Sequence, residues 1–290
     1  MTEAAPTTIA ATLANAVSSL CAAGIEQPRL DARLLLQRAS GLTREAILTA
    51  PKATLPADAL AAYTRLLARR CRREPVSHLL GEREFWSLPF TVGRAVLDPR
   101  PDSETLIAAM LAEAPDQLTE LTILDLGTGS GCLLLALLSE LPNAHGVGVD
   151  LSPAAIRIAQ TNATALGLDH RTDFVVGDWA AMMAGPFDWV ICNPPYVVDG
   201  DIAGLSTEVR CFEPRLALAG GVDGLDAYRR VLPDVKRIIG RDGILGLEVG
   251  SGQMTAVRAL LRDCGISGYR VHKDLSGVDR CVLARLETEN

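Results

Sequence analysis

Asn193-Pro194-Pro195-Tyr196 carries the residue types with the clearest chemical purpose in the chain. It closes an apolar run, Phe187-Asp188-Trp189-Val190-Ile191-Cys192, that reads as a buried strand ended by a turn. The two prolines have no backbone N–H, fix their own φ and bias the residue before each toward extended geometry. The loop is therefore rigid, with carbonyl acceptors and few donors. Asn193 adds one amide oxygen and two N–H donors, and Tyr196 adds an aromatic face. Such a seat suits a planar –NH2 group, with acceptors for its two hydrogens and a wall for its plane. The chemistry it suggests is on an amide or amino nitrogen. The same four residues also describe a tight surface turn after a strand, so a second motif has to decide.

That motif lies upstream. Thr122-Ile123-Leu124-Asp125-Leu126 reads as a strand, Gly127-Thr128-Gly129-Ser130-Gly131 as a glycine turn and Cys132 to Leu138 as a helix. The glycines let backbone approach a ligand closely, and Thr128 and Ser130 join them as expected cofactor contacts. Asp150 ends the next strand, Gly146 to Val149, at about the 20-residue distance where a carboxylate accepts ribose hydroxyls. The Gly-x-Gly-x-Gly spacing departs from the Gly-x-Gly-x-x-Gly of dinucleotide enzymes, and no Gly-Lys-Ser/Thr follows, so a phosphate cradle has no support. A third strand, Asp173 to Gly177, leads to Asp178-Trp179, an acid and an indole that could flank an adenine ring. Trp179 also reads as an ordinary core aromatic, the commoner fate of such residues.

The ordered series of glycine loop, Asp150, Asp178-Trp179 and Asn-Pro-Pro-Tyr resembles the S-adenosylmethionine-dependent methyltransferases. Further segments narrow the resemblance. They are Arg73-Glu74-Pro75-Val76, Gly81-Glu82-Arg83-Glu84-Phe85-Trp86, Pro99-Arg100-Pro101-Asp102-Ser103-Glu104, Phe212-Glu213-Pro214 and Asp274-Leu275-Ser276-Gly277-Val278-Asp279-Arg280. Together they resemble the release-factor glutamine methyltransferases, the PrmC/HemK family, from roughly Leu30 to Leu286. Asp98 stands where that family usually has an apolar residue, which leaves the role of Arg100 open, and the match at Glu248 to Gln253 is loose.

The resemblance implies an α/β fold: a Rossmann-like methyltransferase domain with a mostly parallel sheet, preceded by a small all-α domain. It implies S-adenosylmethionine as cofactor and a peptide chain release factor as protein substrate, methylated on the glutamine of its Gly-Gly-Gln motif. Gly127, Thr128, Gly129, Ser130, Gly131, Asp150, Asp178, Trp179 and Asn193 are then the expected cofactor contacts, and Asn193, Pro194, Pro195 and Tyr196 the substrate contacts. Asn193, Pro194 and Tyr196 are the expected catalytic residues. The Asn193 oxygen and the Pro194 carbonyl would accept the two amide hydrogens while Tyr196 packs on the amide plane. Two other classes stand beside this reading. One is an amino-methyltransferase acting on adenine or guanine in nucleic acid, which needs a basic cleft and base flipping. The other is a binding module that kept the fold without the chemistry.

The chain has 290 residues, enough for one large or two modest domains, and 48% of them are hydrophobic, ample for a core. A net charge of −7 speaks against direct nucleic-acid binding. Arg65, Arg69, Arg70, Arg72 and Arg73 form a local basic cluster that reads first as a solvated helix end, where cations suit the dipole. Seven cysteines without a Cys-x-x-Cys pair point to reduced thiols and a cytoplasmic setting. The four histidines have no metal-ligand spacing, so no metal is expected. No signal peptide is read, and the apolar runs are far too short to cross a membrane. A monomer is expected.

Residues 1–80 read as the helical, substrate-recognising domain. Ile9, Leu13, Val17 and Leu20 define a first helix, with Thr7 and Thr8 as cap candidates. Leu30, Leu34 and Leu35 begin a second, Thr43 to Leu48 form a third, and Pro56 opens a fourth with Leu60, Tyr63, Leu66 and Leu67 on one face. Residues 81–98 read as a linking β-hairpin, extended from Glu84 to Leu97. Residues 99–290 read as the catalytic domain, in which strands and helices alternate. Ser103-Glu104 is expected to cap its first helix, and the last two strands to pair antiparallel at an edge.

Overall fold

The computed structural model describes residues 8–286, in two compact units: residues 8–81 with 206–212, and residues 82–205 with 213–286. In the first unit, α1 (Ile9–Ala22) begins where the Thr8 hydroxyl accepts from the Ala11 N–H at 3.3 Å, satisfying one of the four orphan donors of the helix end. The other cap candidate, Thr7, lies outside the described residues. α2 (Pro28–Ser40) has proline at its first position and stops at Gly41, whose φ of 70° is the left-handed geometry that ends helices. α3 (Arg44–Thr49), α4 (Ala57–Cys71) and α5 (Val76–Leu80) complete the unit's helices before residue 82. Their shared core includes Ile9, Leu20, Leu35, Leu36, Ile47 and Tyr63.

The inward stripe of α2 differs from the expected leucine spacing. Asp31, Ala32, Leu35 and Leu36 are buried, and Leu30 is exposed. The reason is electrostatic. Arg70 Nε donates to the Asp31 carboxylate at 2.7 Å, and a carboxylate is taken out of water only with such a partner. Arg70 also donates to Glu208 at 3.1 Å, Arg73 donates to Glu208 at 2.8 Å, and Arg69 grips Glu74 through two N–H donors. The arginine cluster is therefore not the solvated helix end that its sequence suggests. Three of its five members are ion-paired, and Arg65 and Arg72 remain exposed.

The second unit opens with a hairpin, β1 (Glu82–Phe85) and β2 (Leu88–Thr91). Its turn residues, Trp86 and Ser87, have φ of 53° and 59°, geometry that glycine or asparagine normally supplies. Here carboxylates hold it. Trp86 N–H donates to Glu104 at 3.0 Å, the Trp86 indole N–H to Glu140 at 2.8 Å and Ser87 N–H to Glu84 at 3.0 Å. Strand geometry ends at Thr91, short of the Leu97 that the sequence suggests. Next come α6 (Glu104–Leu111), β3 (Thr122–Leu126), α7 (Cys132–Glu140), β4 (His145–Asp150), α8 (Pro153–Ala165), β5 (Thr172–Val176) and β6 (Phe187–Cys192). After α9 (Thr207–Phe212), which belongs to the first unit, follow α10 (Asp226–Ile238), β7 (Ile239–Glu248), α11 (Met254–Asp263), β8 (Tyr269–Lys273) and β9 (Asp279–Arg285). The Ser103 hydroxyl makes no capping bond at the start of α6, against expectation, because it donates to a carboxylate elsewhere.

Seven strands form one sheet in the order β5-β4-β3-β6-β7-β9-β8. The first five of these pair in parallel, while β9 runs antiparallel between β7 and β8, so the late antiparallel pair sits at one edge as expected. Period-two alternation divides the side chains between two cores. Ile123, Trp189, Ile191 and Ile244 face α6, α7 and α8, and Leu124, Val190, Cys192 and Leu245 face α10 and α11. The chain runs outward from β3 through β4 to β5, then returns to lay β6 on the other side of β3. That reversal opens a crevice at the carboxyl ends of the central strands.

Asn162 on α8, 1% exposed, joins the hairpin to the glycine turn. Its oxygen accepts from Thr91 N–H at 2.7 Å, and its nitrogen donates to the carbonyls of Ser130 at 2.8 Å and Thr91 at 3.1 Å. Asn162→Ala strands these groups, each at about 1–3 kcal/mol where buried. Denaturant unfolding of the variant is expected to show a loss of about 2 kcal/mol or more. A loss under about 0.5 kcal/mol, the lower end for a net hydrogen bond, would mean that Asn162 does not join the two segments.

Candidate active site

The carboxyl ends of β3, β4, β5 and β6 meet in one cleft of about 270 Å3. Gly127, Thr128, Gly129 and Ser130 line it from the turn after β3, Asp150 from the end of β4, Asp178 and Trp179 from beyond β5, and Asn193 and Pro195 from beyond β6. Gly127, Gly129 and Gly131 all have positive φ, from 55° to 80°, which L side chains rarely adopt. The turn is closed by its own amides. The N–H groups of Gly127 and Thr128 donate to the Val149 carbonyl at 2.8 and 2.9 Å, Gly129 N–H to Asp150 at 2.9 Å and Gly131 N–H to the Thr128 carbonyl at 2.8 Å. Those four donors are spent within the fold and are not free to cradle a phosphate, in keeping with the missing Gly-Lys-Ser/Thr.

Asp150 uses each oxygen once. One accepts from Gly129 N–H and the other from Ser152 N–H at 2.8 Å, so each keeps a further lone pair for a hydroxyl donor. Trp179 is half-buried and lies over the turn, so that a Cβ added to Gly127 would come within 3.3 Å of its ring. It is both a packing residue and part of the cleft wall. Asp178 pairs with Arg230 at 2.5 Å, both about half exposed, and Arg230 also lines the cleft.

The loop after β6 is gripped from several sides. Asn193 Nδ2 donates to Ser103 Oγ at 3.3 Å, and Ser103 Oγ donates to Glu248 Oε2 at 2.5 Å. Tyr196 donates its hydroxyl to Glu248 Oε1 at 3.1 Å, and Gln253 Nε2 donates to the Tyr196 carbonyl at 2.9 Å. Gly220 lies flat against the loop, where an added Cβ would fall 2.8 Å from Tyr196 Cα. Asn193 and Pro195 reach the cleft. Pro194 is buried, and neither it nor Tyr196 is among the lining residues.

Glu248 is 1% exposed. Burial pushes its carboxyl above the usual range, while the Ser103 and Tyr196 hydroxyls and the Arg280 guanidinium favour its charged form. Burial and the Glu248 charge push the Tyr196 phenol upward, so it stays a donor. Burial pushes the Cys132 thiol up to about 12, which removes it as a nucleophile at neutral pH. The open question at Arg100 has a local answer. Its guanidinium donates to both oxygens of the buried Glu213 at 2.7 and 2.6 Å.

Ser103 and Arg230 line the cleft and Glu248 is bonded to Ser103, and the sequence reading gave none of the three a role in the site. Ser103 carries a helix-cap signature, Glu248 ends an apolar strand and Arg230 sits on an amphipathic helix, so no local pattern separates them from structural residues. Arg100 and Glu213 lay within the segments that carry the resemblance, without roles.

Two family models match the chain, the PrmC N-terminal domain over residues 11–81 and the methyltransferase small domain over residues 91–209. The release factor glutamine methyltransferase of Rhodospirillum rubrum is 49% identical over 91% of this chain and 80% of its own length. That of Caulobacter vibrioides is 45% identical over 90% of each. The chain belongs to the release factor glutamine methyltransferase family. Among solved structures, the hMettl16 catalytic domain in complex with MAT2A 3'UTR hairpin 6 superposes with a TM-score of 0.58 at 16% identity, over 77% of this chain and 83% of that one, a likeness of fold. The methyl donor of the family is S-adenosylmethionine, and the cleft suits it: an open glycine turn, a ribose-type carboxylate with spare lone pairs and an indole wall.

Asp125, beneath the turn, is 1% exposed and accepts from the Thr128 hydroxyl at 2.7 Å. Burial, and to a smaller degree the Asp150 charge, raise its carboxyl from 3.8 to about 7 against that hydrogen bond. A carboxyl raised by folding binds its proton more tightly in the native state, so its contribution to stability is present below about pH 4 and is lost as pH rises to about 7. The amide of Asp125→Asn cannot ionise. The melting temperature of that variant relative to wild type is expected to climb across this window and to level off above it. A constant difference from about pH 4 to about pH 8 would overturn the assignment.

Proposed function

We propose that this chain transfers a methyl group from S-adenosylmethionine to the side-chain amide nitrogen of the glutamine in the Gly-Gly-Gln motif of peptide chain release factors. Family membership supports the substrate class. The observation that carries the chemistry is the setting of Asn193: its nitrogen is engaged by Ser103, its oxygen has no partner among the described residues, and it borders the same cleft as Asp150 and the glycine turn.

An amide nitrogen is a weak nucleophile, because its lone pair is shared with the carbonyl. When bound, S-adenosylmethionine supplies an activated methyl on a sulfonium, so the protein's task is alignment and electrostatics. Asn193 Oδ1, which borders the cleft, accepts one amide hydrogen of the glutamine, which raises electron density on its nitrogen and aims its face; the other expected acceptor, the Pro194 carbonyl, belongs to a buried residue outside the cleft lining. Pro195 borders the substrate, and Tyr196 supports the loop from behind through Glu248. Asp150 holds the ribose, and Trp179 with Asp178 holds the adenine. An N-alkylated amidium is acidic enough to release its proton to water, so no strong base is required.

The nucleic-acid alternative has less support. Asp98, Asp150, Asp178 and Asp226 face the cleft against two arginines, and each of those arginines has a carboxylate partner. A phosphate backbone would meet no uncommitted cation among the lining residues. The helical unit carries no reactive cluster and is assigned to recognition of the protein substrate. The enzyme is taken to act as a monomer, and its seven free thiols accord with a cytoplasmic setting. No helix among the described residues is long and apolar enough to cross a membrane.

Two variants test the two halves of the site. Asp150→Ala should weaken S-adenosylmethionine by at least about 10-fold in calorimetry, since a charge-assisted hydrogen bond contributes roughly 1.5–3 kcal/mol. Unchanged affinity would remove Asp150 from the cofactor site. Asn193→Ala should slow single-turnover methylation of a purified release factor by about 100-fold, with a smaller effect on cofactor affinity. Transfer within a few-fold of wild type would reduce the loop to a structural turn.

A further inference from the structure

We infer that Ser103 and Glu248 are positioning residues that fix which way the Asn193 amide points. The inference rests on the reading of Asn193 as the acceptor for the substrate amide. Asparagine presents oxygen and nitrogen from one planar group of almost symmetrical shape, so only its hydrogen-bond partners choose between the two orientations. The choice matters. With the oxygen toward the cleft the side chain accepts a substrate N–H, and with the nitrogen there it opposes one donor with another.

With Glu248 ionised, counting protons fixes the direction. Glu248 accepts two hydroxyl protons, one on each carboxylate oxygen: Oε2 from Ser103 at 2.5 Å and Oε1 from Tyr196 at 3.1 Å. Ser103 Oγ has one proton, and it is committed to Glu248. Toward Asn193 the hydroxyl can therefore only accept, and the amide atom at 3.3 Å is Nδ2. Oδ1 is turned to the other side of the planar group. Ser103 is 2% and Glu248 1% exposed, so water does not compete for the bond between them. It also explains why Ser103 forgoes the helix-capping bond that its position before α6 offers.

Glu248 has support besides the relay. Arg280 favours its charge, and Tyr228 donates to the Glu248 carbonyl at 3.0 Å. The anchor thus spans strands and loops that are distant in sequence, while its output is the orientation of one side chain.

A double-mutant cycle tests the relay, with Ser103→Ala, Asn193→Ala and the double variant measured by single-turnover transfer to a purified release factor at saturating S-adenosylmethionine. Ser103→Ala is expected to slow transfer about 10-fold or more, with cofactor affinity within about two-fold of wild type. In the Asn193→Ala background the same change should alter the rate less than about two-fold, because a residue acting through Asn193 has nothing left to act on. An equal slowing in both backgrounds, or Ser103→Ala transferring at the wild-type rate while Asn193→Ala is slow, overturns the relay and leaves the acceptor role standing. Wild-type transfer by Asn193→Ala overturns both. Should Ser103→Ala not fold, neutron diffraction from the deuterated wild-type enzyme decides instead. A Ser103 deuteron pointing at Glu248, with the deuterated Asn193 nitrogen facing Ser103, is the expected result, and a Ser103 deuteron pointing at Asn193 overturns the inference.

Discussion

A buried carboxylate must be satisfied on every side, and Glu248 is the group around which this site is ordered. It ends β7, where an apolar strand delivers it into the interior. Desolvation of a charge there is costly, and the cost is offset only by donors held at hydrogen-bond distance. Those donors come from Ser103 before α6 and from Tyr196 in the loop after β6, and Arg280 on β9 favours the charge. Satisfying one carboxylate therefore ties together segments that the sequence separates by up to 145 residues, from Ser103 to Glu248 (248 − 103). The Asn-Pro-Pro-Tyr loop gains its rigidity twice, from its own prolines and from this anchor.

The cofactor side rests on a different constraint. Parallel strands need crossovers, and the reversal between β5 and β6 brings four strand ends together where no strand continues to fill the space. The turn after β3 must then pass close under a ligand, and the glycines permit it. Asp150 acts in both directions: it ties the turn to β4 through Gly129 N–H and keeps a lone pair on each oxygen, which suits it to the proposed ribose contact. Removing its charge would loosen the turn as well as the ligand, so binding and melting measurements are best read together.

The central sheet was legible because its signals are local. Period-two strands, the glycine turn and Asn-Pro-Pro-Tyr are contiguous, and their order alone brings Gly129, Asp150, Trp179 and Asn193 to one cleft. What was not legible is what distant residues do to one another. Ser103 reads as a helix cap until Glu248 is seen beside it, and nothing near position 248 announces a partner. The arginines at 69, 70 and 73 read as a solvated helix end until Asp31, Glu74 and Glu208 are seen against them. Leu30 gave way to Asp31 on the inner face of α2 for the same reason: an ion pair formed across 39 residues overrode the apolar spacing.

The path of the chain bears on how recognition can be separated from chemistry. α9 follows Tyr196 and precedes Glu213 in sequence, yet its Glu208 is paired with Arg70 and Arg73 of the helical unit. Deleting the N-terminal residues would strip a largely buried carboxylate of two cations, and it would do so within the segment that connects Asn-Pro-Pro-Tyr to the Arg100 partner Glu213. An uncompensated charge there would disturb the fold whatever the helical unit recognises. Loss of activity on truncation is thus ambiguous in this architecture. Substitutions at exposed positions such as Arg65 and Arg72, which leave the ion pairs intact, avoid that ambiguity: a change in KM for the protein substrate would then arise with the Glu208 pairs unbroken.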